Sequence, residues 1–248
     1  MARLLVYGEP LPAPARHSPM PPAGLWQYGR MMASRKYAAA GTETEFEPDS
    51  RGRVLRNLLG IMRVRDMNEA ESQALELAQE EALDRYSADH QFTADDVCAL
   101  HRLWLGPIYT WAGRYRSVNI GKGGFQFAHA PLIAGLMREL ERGAMARYTP
   151  CHPRADAELA TALAEVHAEL ILIHPFRDGN GRLARLVAVL MGLQAGLPPL
   201  DFSPLLGQGR SAYISGIHAS TGRDYAPLAA VFAKVIERSR RNDESNTR

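Results

Sequence analysis

Two apolar helical stripes joined by a short polar loop constrain this chain more than any other feature. Leu159, Leu163, Val166 and Leu170 recur at three-to-four spacing between Ala155 and Ile173. Leu183, Leu186, Val187, Leu190 and Met191 resume the pattern beyond the loop. Each stripe marks a helix that must bury one face, and Gly196 with Pro198 ends the second. A loop held between two core helices is a rigid mount for a site.

The rest of the chain reads mostly as helix. Asn68, followed by Glu69 and Glu71, predicts a helix start, and Leu75, Leu77, Ala78 and Ala82 carry it to about Tyr86. Thr93 with Asp95 and Asp96 opens another, whose apolar face holds Val97, Leu100, His101, Trp104 and Leu105 before Gly106-Pro107 closes it. Pro131 leads into Leu132, Ile133, Leu136, Met137 and Leu140, and further helices are predicted over 209–220 and 225–239. Between Ser117 and Phe127 the period changes, and the glycines Gly121, Gly123 and Gly124 predict a short hairpin. The expected fold class is mostly α with one small hairpin.

Residues 1–53 differ in character. Pro10, Pro12, Pro14, Pro19, Pro21 and Pro22 predict an extended arm to about residue 24, a helix could occupy Leu25–Ala40, and Gly41–Gly52 lacks an apolar period. The expected division is a partly ordered arm (1–53), a folded domain (54–238) and a polar, frayed tail (239–248). Lys and Arg number 29 against 27 Asp and Glu, a net charge of +2 that argues against direct nucleic-acid binding. Two cysteines, Cys98 and Cys151, make no disulfide framework. No apolar run is long enough for a membrane span, and the expectation is a cytoplasmic protein with no membrane partner.

The loop His174-Pro175-Phe176-Arg177-Asp178-Gly179-Asn180-Gly181-Arg182 and the helix it enters carry the chemistry. Gly179 and Gly181 allow backbone N–H groups to converge where a helix begins, which suits anions and phosphates above all. Arg182 and Arg185 share a face and can grip phosphate oxygens. Asp178 makes sense as a carboxylate holding Mg²⁺ against those phosphates. His174 is the segment's neutral-pH base, and Phe176 reads as a structural pin. There is no Gly-x-x-x-x-Gly-Lys-Ser/Thr for a P-loop and no His-Glu-x-x-His for zinc hydrolysis.

His174 through Arg185 resembles the Fic (Fic/Doc, Fido) signature His-x-Phe-x-Asp/Glu-Gly-Asn-Gly-Arg-x-x-Arg at every specified position. The resemblance extends to Val54–Ile61, to Ile108-Tyr109-Thr110-Trp111-Ala112-Gly113, and to the stretch from Arg116 to Gly124, covering about residues 54–237. It implies a Fic helical bundle with a β-hairpin flap, and an adenylyltransferase moving AMP from ATP to a Ser, Thr or Tyr hydroxyl of a target protein. On that implication His174 is the base, Asp178 the Mg²⁺ ligand, and Gly179, Asn180 and Gly181 the anion hole. Arg182 and Arg185 bind the outgoing phosphates. Ser117, Val118, Asn119, Ile120, Gly121, Lys122, Gly123 and Gly124 form the flap that would register a target segment as an added strand. The family's inhibitory motif, Ser/Thr-x-x-x-Glu-Gly/Asn, has no match: Ser72 and Glu76 have the spacing but Leu77 follows, and Ser239 reaches Asp243. That departure resembles the class inhibited by a separate small antitoxin. The alternatives are transfer of UMP, phosphocholine or phosphate, or a nucleotide-binding regulator without turnover.

Overall fold

The computed structural model describes residues 42–246, and its helices follow from caps and buried stripes. The Pro-rich arm and the helix expected over Leu25–Ala40 lie outside the described residues. Helix α1 spans Val64–Arg85 and begins at Arg63, not at Asn68. Met67 is already buried, so the face that packs inward starts a turn earlier than the leucines suggested. Helix α2 spans Ala94–Leu105 and starts as expected at Thr93, whose hydroxyl oxygen accepts the Asp96 N–H while the Asp96 carboxylate accepts the Thr93 N–H. Such a reciprocal cap contributes about 1 kcal/mol.

The hairpin is shorter than the sequence pattern implied. Strand β1 is Gly121–Lys122 and β2 is Phe125–Gln126, with Gly121 opposite Gln126 and Lys122 opposite Phe125. Gly123 and Gly124 take φ of 59° and 86°, the pair of left-handed conformations that a tight two-residue turn demands. Of Ser117–Ile120 only the Ile120 carbonyl pairs across the hairpin, accepting the Phe127 N–H, while Ser117 to Asn119 bond elsewhere. The Asn119 Oδ1, for example, accepts the Ala130 N–H at the start of the next helical turn. Helix α3 (Ile133–Leu140) follows, then a π turn over Glu141–Met145 and the single turn α4 (Ala146–Tyr148).

Helix α5 (Asp156–Ile173) is the centre of the bundle, with Leu159, Leu163, Val166 and Leu170 all buried. It packs on α6 (Asn180–Gln194), α7 (Gly209–Ser220), α8 (Ala226–Asn246) and α3, while α1 pairs with α2 and α2 with α6. The central position mounts the loop between α5 and α6 on two core helices. Helix α8 runs on through the polar tail that was expected to fray. Arg240 reaches Asp156 at 2.8 Å, and the buried Ser239 hydroxyl accepts the Asp201 N–H, contacts that only the tertiary fold supplies.

Residues 42–53, grouped by sequence with the arm, bond into the body. Phe46 bridges Leu55, the Glu47 N–H reaches the Val54 carbonyl, and the Glu47 carboxylate accepts the Asn57 N–H at 2.7 Å.

Candidate active site

Helix α5 ends on His174 itself, which adopts the left-handed conformation at φ 51°. For a residue with a β-carbon that conformation costs about 1–2 kcal/mol and needs support from its surroundings. The imidazole Nδ1 lies 3.0 Å from the Ile171 carbonyl. A carbonyl only accepts, so Nδ1 carries the proton and Nε2 keeps its lone pair. Phe127, just past the hairpin, stacks on the ring at 3.6 Å between centroids. Burial pushes the His174 pKa down to about 4. The Arg116 and Lys122 charges add to the fall, and the Ile171 carbonyl and Asp178 oppose it. At neutral pH the imidazole is uncharged.

The loop after His174 is fastened from within and from α2. Asn180 spans it, its Oδ1 accepting the Phe176 N–H and its Nδ2 donating to the Phe176 carbonyl. The Asn180 side chain is therefore consumed in closing the loop, leaving its backbone N–H for any anion. Phe176 is fully buried and stacks on His101 at 3.9 Å. His101 donates through Nε2 to the Asp178 carbonyl at 3.0 Å and accepts the Gly113 N–H on Nδ1 at 2.8 Å. Burial holds its pKa down near 4. Sequence reasoning placed His101 on an apolar face and went no further; a histidine inside an otherwise apolar stripe was the signal available.

Gly179 caps α6 with φ 81°. A β-carbon there would come within 2.7 Å of the Trp104 ring, so glycine is required by conformation and by space alike. The N–H groups of the first α6 turn, from Asn180, Gly181 and Arg182, have no acceptor within the helix. Asp178 stands beside them, its side chain about half exposed and Oδ1 accepting the Gly179 N–H.

Arg182 is held on two sides. Its Nη2 lies 2.7 Å from Oε2 of Glu71 on α1, and its guanidinium sits 4.5 Å from the Trp104 ring centre. Glu71 is buried, accepts the Tyr109 hydroxyl on its other oxygen at 2.7 Å, and through its backbone carbonyl accepts the Trp104 indole N–H at 2.8 Å. Burial, with Glu71 alongside, pushes the Tyr109 phenol up. Glu71, Trp104 and Tyr109 were not singled out from the sequence as site residues. Their partner Arg182 lies 111 positions from Glu71. Glu76, four residues after Ser72, is exposed on α1.

Arg185, one turn along α6, is different. It makes no ion pair among the described residues, and its buried Nε lacks a hydrogen-bond partner. Burial lowers its pKa, the nearby Tyr213 opposes that fall, and Arg182 adds to it. Behind it His167 on α5 shares a 2.9 Å hydrogen bond with the Tyr213 hydroxyl.

The flap closes over the other side. Phe125 packs edge-on to Phe127 at 5.4 Å and stacks on His218 of α7 at 5.5 Å, so aromatic rings run from His174 to α7. Gly121 to Gly124 are exposed, with Lys122 among them. Burial lowers the Lys122 pKa, and Asp178 acts against it. At the flap's root the Ser117 N–H and hydroxyl both donate to the Glu43 carboxylate, and the Glu43 carbonyl accepts from Arg177 Nε at 2.7 Å.

Residues 91–191 match the Fic/DOC family. A probable protein adenylyltransferase, y4lH, of Sinorhizobium fredii is 30% identical over 183 residues, covering 74% of this chain and 91% of that protein. The protein adenylyltransferase fic-1 of Caenorhabditis briggsae is 29% identical over 153 residues, and the match spans only 28% of its length. Among solved structures, the N-terminal Fic domain of a Bartonella quintana effector superposes with a TM-score of 0.63 at 24% identity, over 83% of this chain and 98% of that one. The BepC effector of Bartonella tribocorum, solved with bound AMPPNP, gives 0.59 at 22%, over 74% and 92%. These likenesses establish the expected fold, a mostly helical bundle with a small antiparallel hairpin. With the complete signature from His174 to Arg185, the chain belongs to the Fic/DOC family.

Proposed function

We propose that the chain is a protein adenylyltransferase that moves AMP from ATP to a hydroxyl of a target protein. The observation that carries this reading is the proton placement on His174: Nδ1–H is committed to the Ile171 carbonyl, and Nε2 is free to accept. Relatives named as adenylyltransferases and a related fold solved with AMPPNP support it. The acceptor oxygen attacks the α-phosphorus of ATP, and its proton passes to His174 Nε2. The bond from that phosphorus to the bridging oxygen breaks, and pyrophosphate leaves with the electron pair. The first-turn N–H groups of α6 and the Arg182 and Arg185 guanidiniums hold the phosphates, since such transfers depend on positioning and charge neutralisation.

The donor set suits Mg²⁺, which binds through one or two carboxylates plus substrate phosphates and water. Asp178 offers a half-exposed carboxylate beside the phosphate-binding turn. When bound, the ion would neutralise phosphate charge at that carboxylate. The flap, Ser117 to Gly124, docks the target segment by backbone pairing at its exposed end, Gly121 to Gly124. A small antitoxin supplying a glutamate to Arg185 fits a guanidinium that finds no carboxylate among the described residues. No helix among the described residues is long and apolar enough to cross a membrane.

The test is incubation of the full chain with labelled ATP, Mg²⁺ and a bacterial lysate, followed by intact-mass analysis of the labelled protein. An AMP-sized addition that falls ~10²–10⁴-fold in His174→Ala, with ATP binding retained, supports the reading. A UMP-, phosphocholine- or phosphate-sized addition would reassign the transferred group, and ATP binding without transfer would make the chain a nucleotide-binding regulator.

A further inference from the structure

Arg116 is one of the largest fully buried side chains, 2% exposed, and makes no ion pair among the described residues. A buried guanidinium needs its charge spread over good acceptors, or it is costly. Here backbone carbonyls do this. Arg116 Nε donates to the His174 carbonyl at 2.8 Å, Nη1 to Val118 at 2.5 Å, and Nη2 to Ala128 at 2.6 Å with Ile173 at 3.3 Å. Its own backbone N–H reaches the Pro175 carbonyl at 2.9 Å.

These acceptors fall into two groups. Ile173, His174 and Pro175 form the turn where α5 ends and the left-handed histidine sits. Val118 and Ala128 flank the hairpin on either side. One planar fork thus ties the base-bearing turn to both roots of the flap. Glu43 makes a looser link nearby, its carboxylate accepting from Ser117 and its backbone carbonyl from Arg177.

We infer that Arg116 is a positioning residue for His174, clamping its left-handed backbone and fixing the distance between the imidazole and the flap. The inference rests on the proposed role of His174 as base, but the clamp itself is a property of the apo chain. The charge adds a second effect. Arg116 is one of the groups that keep His174 neutral, with Lys122 of β1 on the same side and Asp178 of the loop opposing. Lysine cannot replace the fork, because an ammonium with three rotating donors cannot serve four carbonyls at once.

The test compares wild type with Arg116→Lys and Arg116→Gln, each checked for native helicity and cooperative melting. Three readouts are followed: kcat and KM for ATP, the pH–rate profile, and the His174 imidazole titration by NMR. Arg116→Gln is expected to lower kcat on the order of 10²-fold with KM for ATP little changed. Its His174 titration should move upward, and Arg116→Lys should recover part of that electrostatic shift without recovering kcat. A folded Arg116→Gln with unchanged kcat and unchanged His174 titration overturns the inference, as does a loss confined to KM.

Should both variants fail to fold, the wild-type chain still decides. The Arg116 Nε–H signal must exchange slowly and must move with the same midpoint as His174; exchange at the solvent rate rejects the clamp. Failure of the adenylyltransferase reading looks different: wild type transfers no AMP, while the His174 titration and the Arg116 signal remain coupled.

Discussion

Arg182 and Arg185 leave the same face of α6 one turn apart, and their surroundings are opposite. Arg182 lies on the Trp104 ring with Glu71 2.7 Å from its Nη2. Arg185 has no ion pair among the described residues and an Nε without a partner. The signature treats the two as equivalent; the packing does not. Arg182 is preorganised, its net charge offset by a buried carboxylate, and the edge away from Glu71 is what it can offer a phosphate. Arg185 has no carboxylate partner among the described residues, so an arriving anion would complete its pairing. Such a group costs folding energy in the free chain and returns it on binding.

The largest effect should follow from removing the open arginine. Arg185→Ala is expected to lower kcat/KM for ATP-dependent transfer on the order of 10²–10³-fold, the usual consequence of losing one charge-stabilising donor. Its thermal stability should be unchanged or higher, because an uncompensated buried charge is gone. A variant that loses activity only in proportion to lost folding would place Arg185 in the scaffold and erase the contrast.

Glu71→Gln should do the reverse. It leaves Arg182 with only the 4.0 Å contact to the half-exposed Asp178 while keeping an acceptor for Tyr109, and it should cost about 2–3 kcal/mol in denaturant unfolding, because Arg182 is partly solvated. If Glu71 serves only to hold Arg182, activity falls with it. Higher transfer by Glu71→Gln would instead show that this carboxylate competes with the phosphates. Trp104→Phe is a smaller change. It removes the indole N–H bond to the Glu71 carbonyl and weakens the platform under Arg182, for about 1–2 kcal/mol of stability.

What the sequence made legible, and what it hid, follows the same division. His174, Asp178, Gly179 and both arginines lie within twelve consecutive residues, so the family signature could be read from their order. The cap at Thr93 was equally local. Glu71 and Arg116 act on that segment from other parts of the chain, and nothing in the residues around them distinguishes a helix-face acid or a flap arginine from a solvated one; His101 leaves only the mark of a histidine in an apolar stripe. The same limit explains α8, whose last turns depend on Asp156 and Asp201. It also explains Ser117–Asn119, where a strand-like pattern gave way to bonds with Arg116, Glu43 and Ala130.

The smallest effect concerns acid. Each arginine stands near a neutral histidine: His101 by Arg182, with its pKa held down near 4, and His167 by Arg185, down near 3. In both, burial is the main cause and the neighbouring arginine adds to it. Because the folded pKa values lie below the unfolded value of about 6.5, the unfolded chain binds more protons between them. The histidines' contribution is therefore complete above pH 6.5 and is lost as pH falls toward 4 and then 3. His174 follows the same course, so the acid limb of the transfer rate should lie below pH 6.5. The arginine contribution can be separated by charge removal: Arg185→Gln should raise the His167 titration and soften the acid loss of stability, while leaving His101 in place. Arg182→Gln should move His101 and not His167. Both shifts should be a fraction of a pH unit, since burial remains, and NMR titration of the individual imidazoles reads them. If both variants moved both histidines equally, the two arginines would share one electrostatic environment, and the difference between the paired and the open site would not extend beyond their direct contacts.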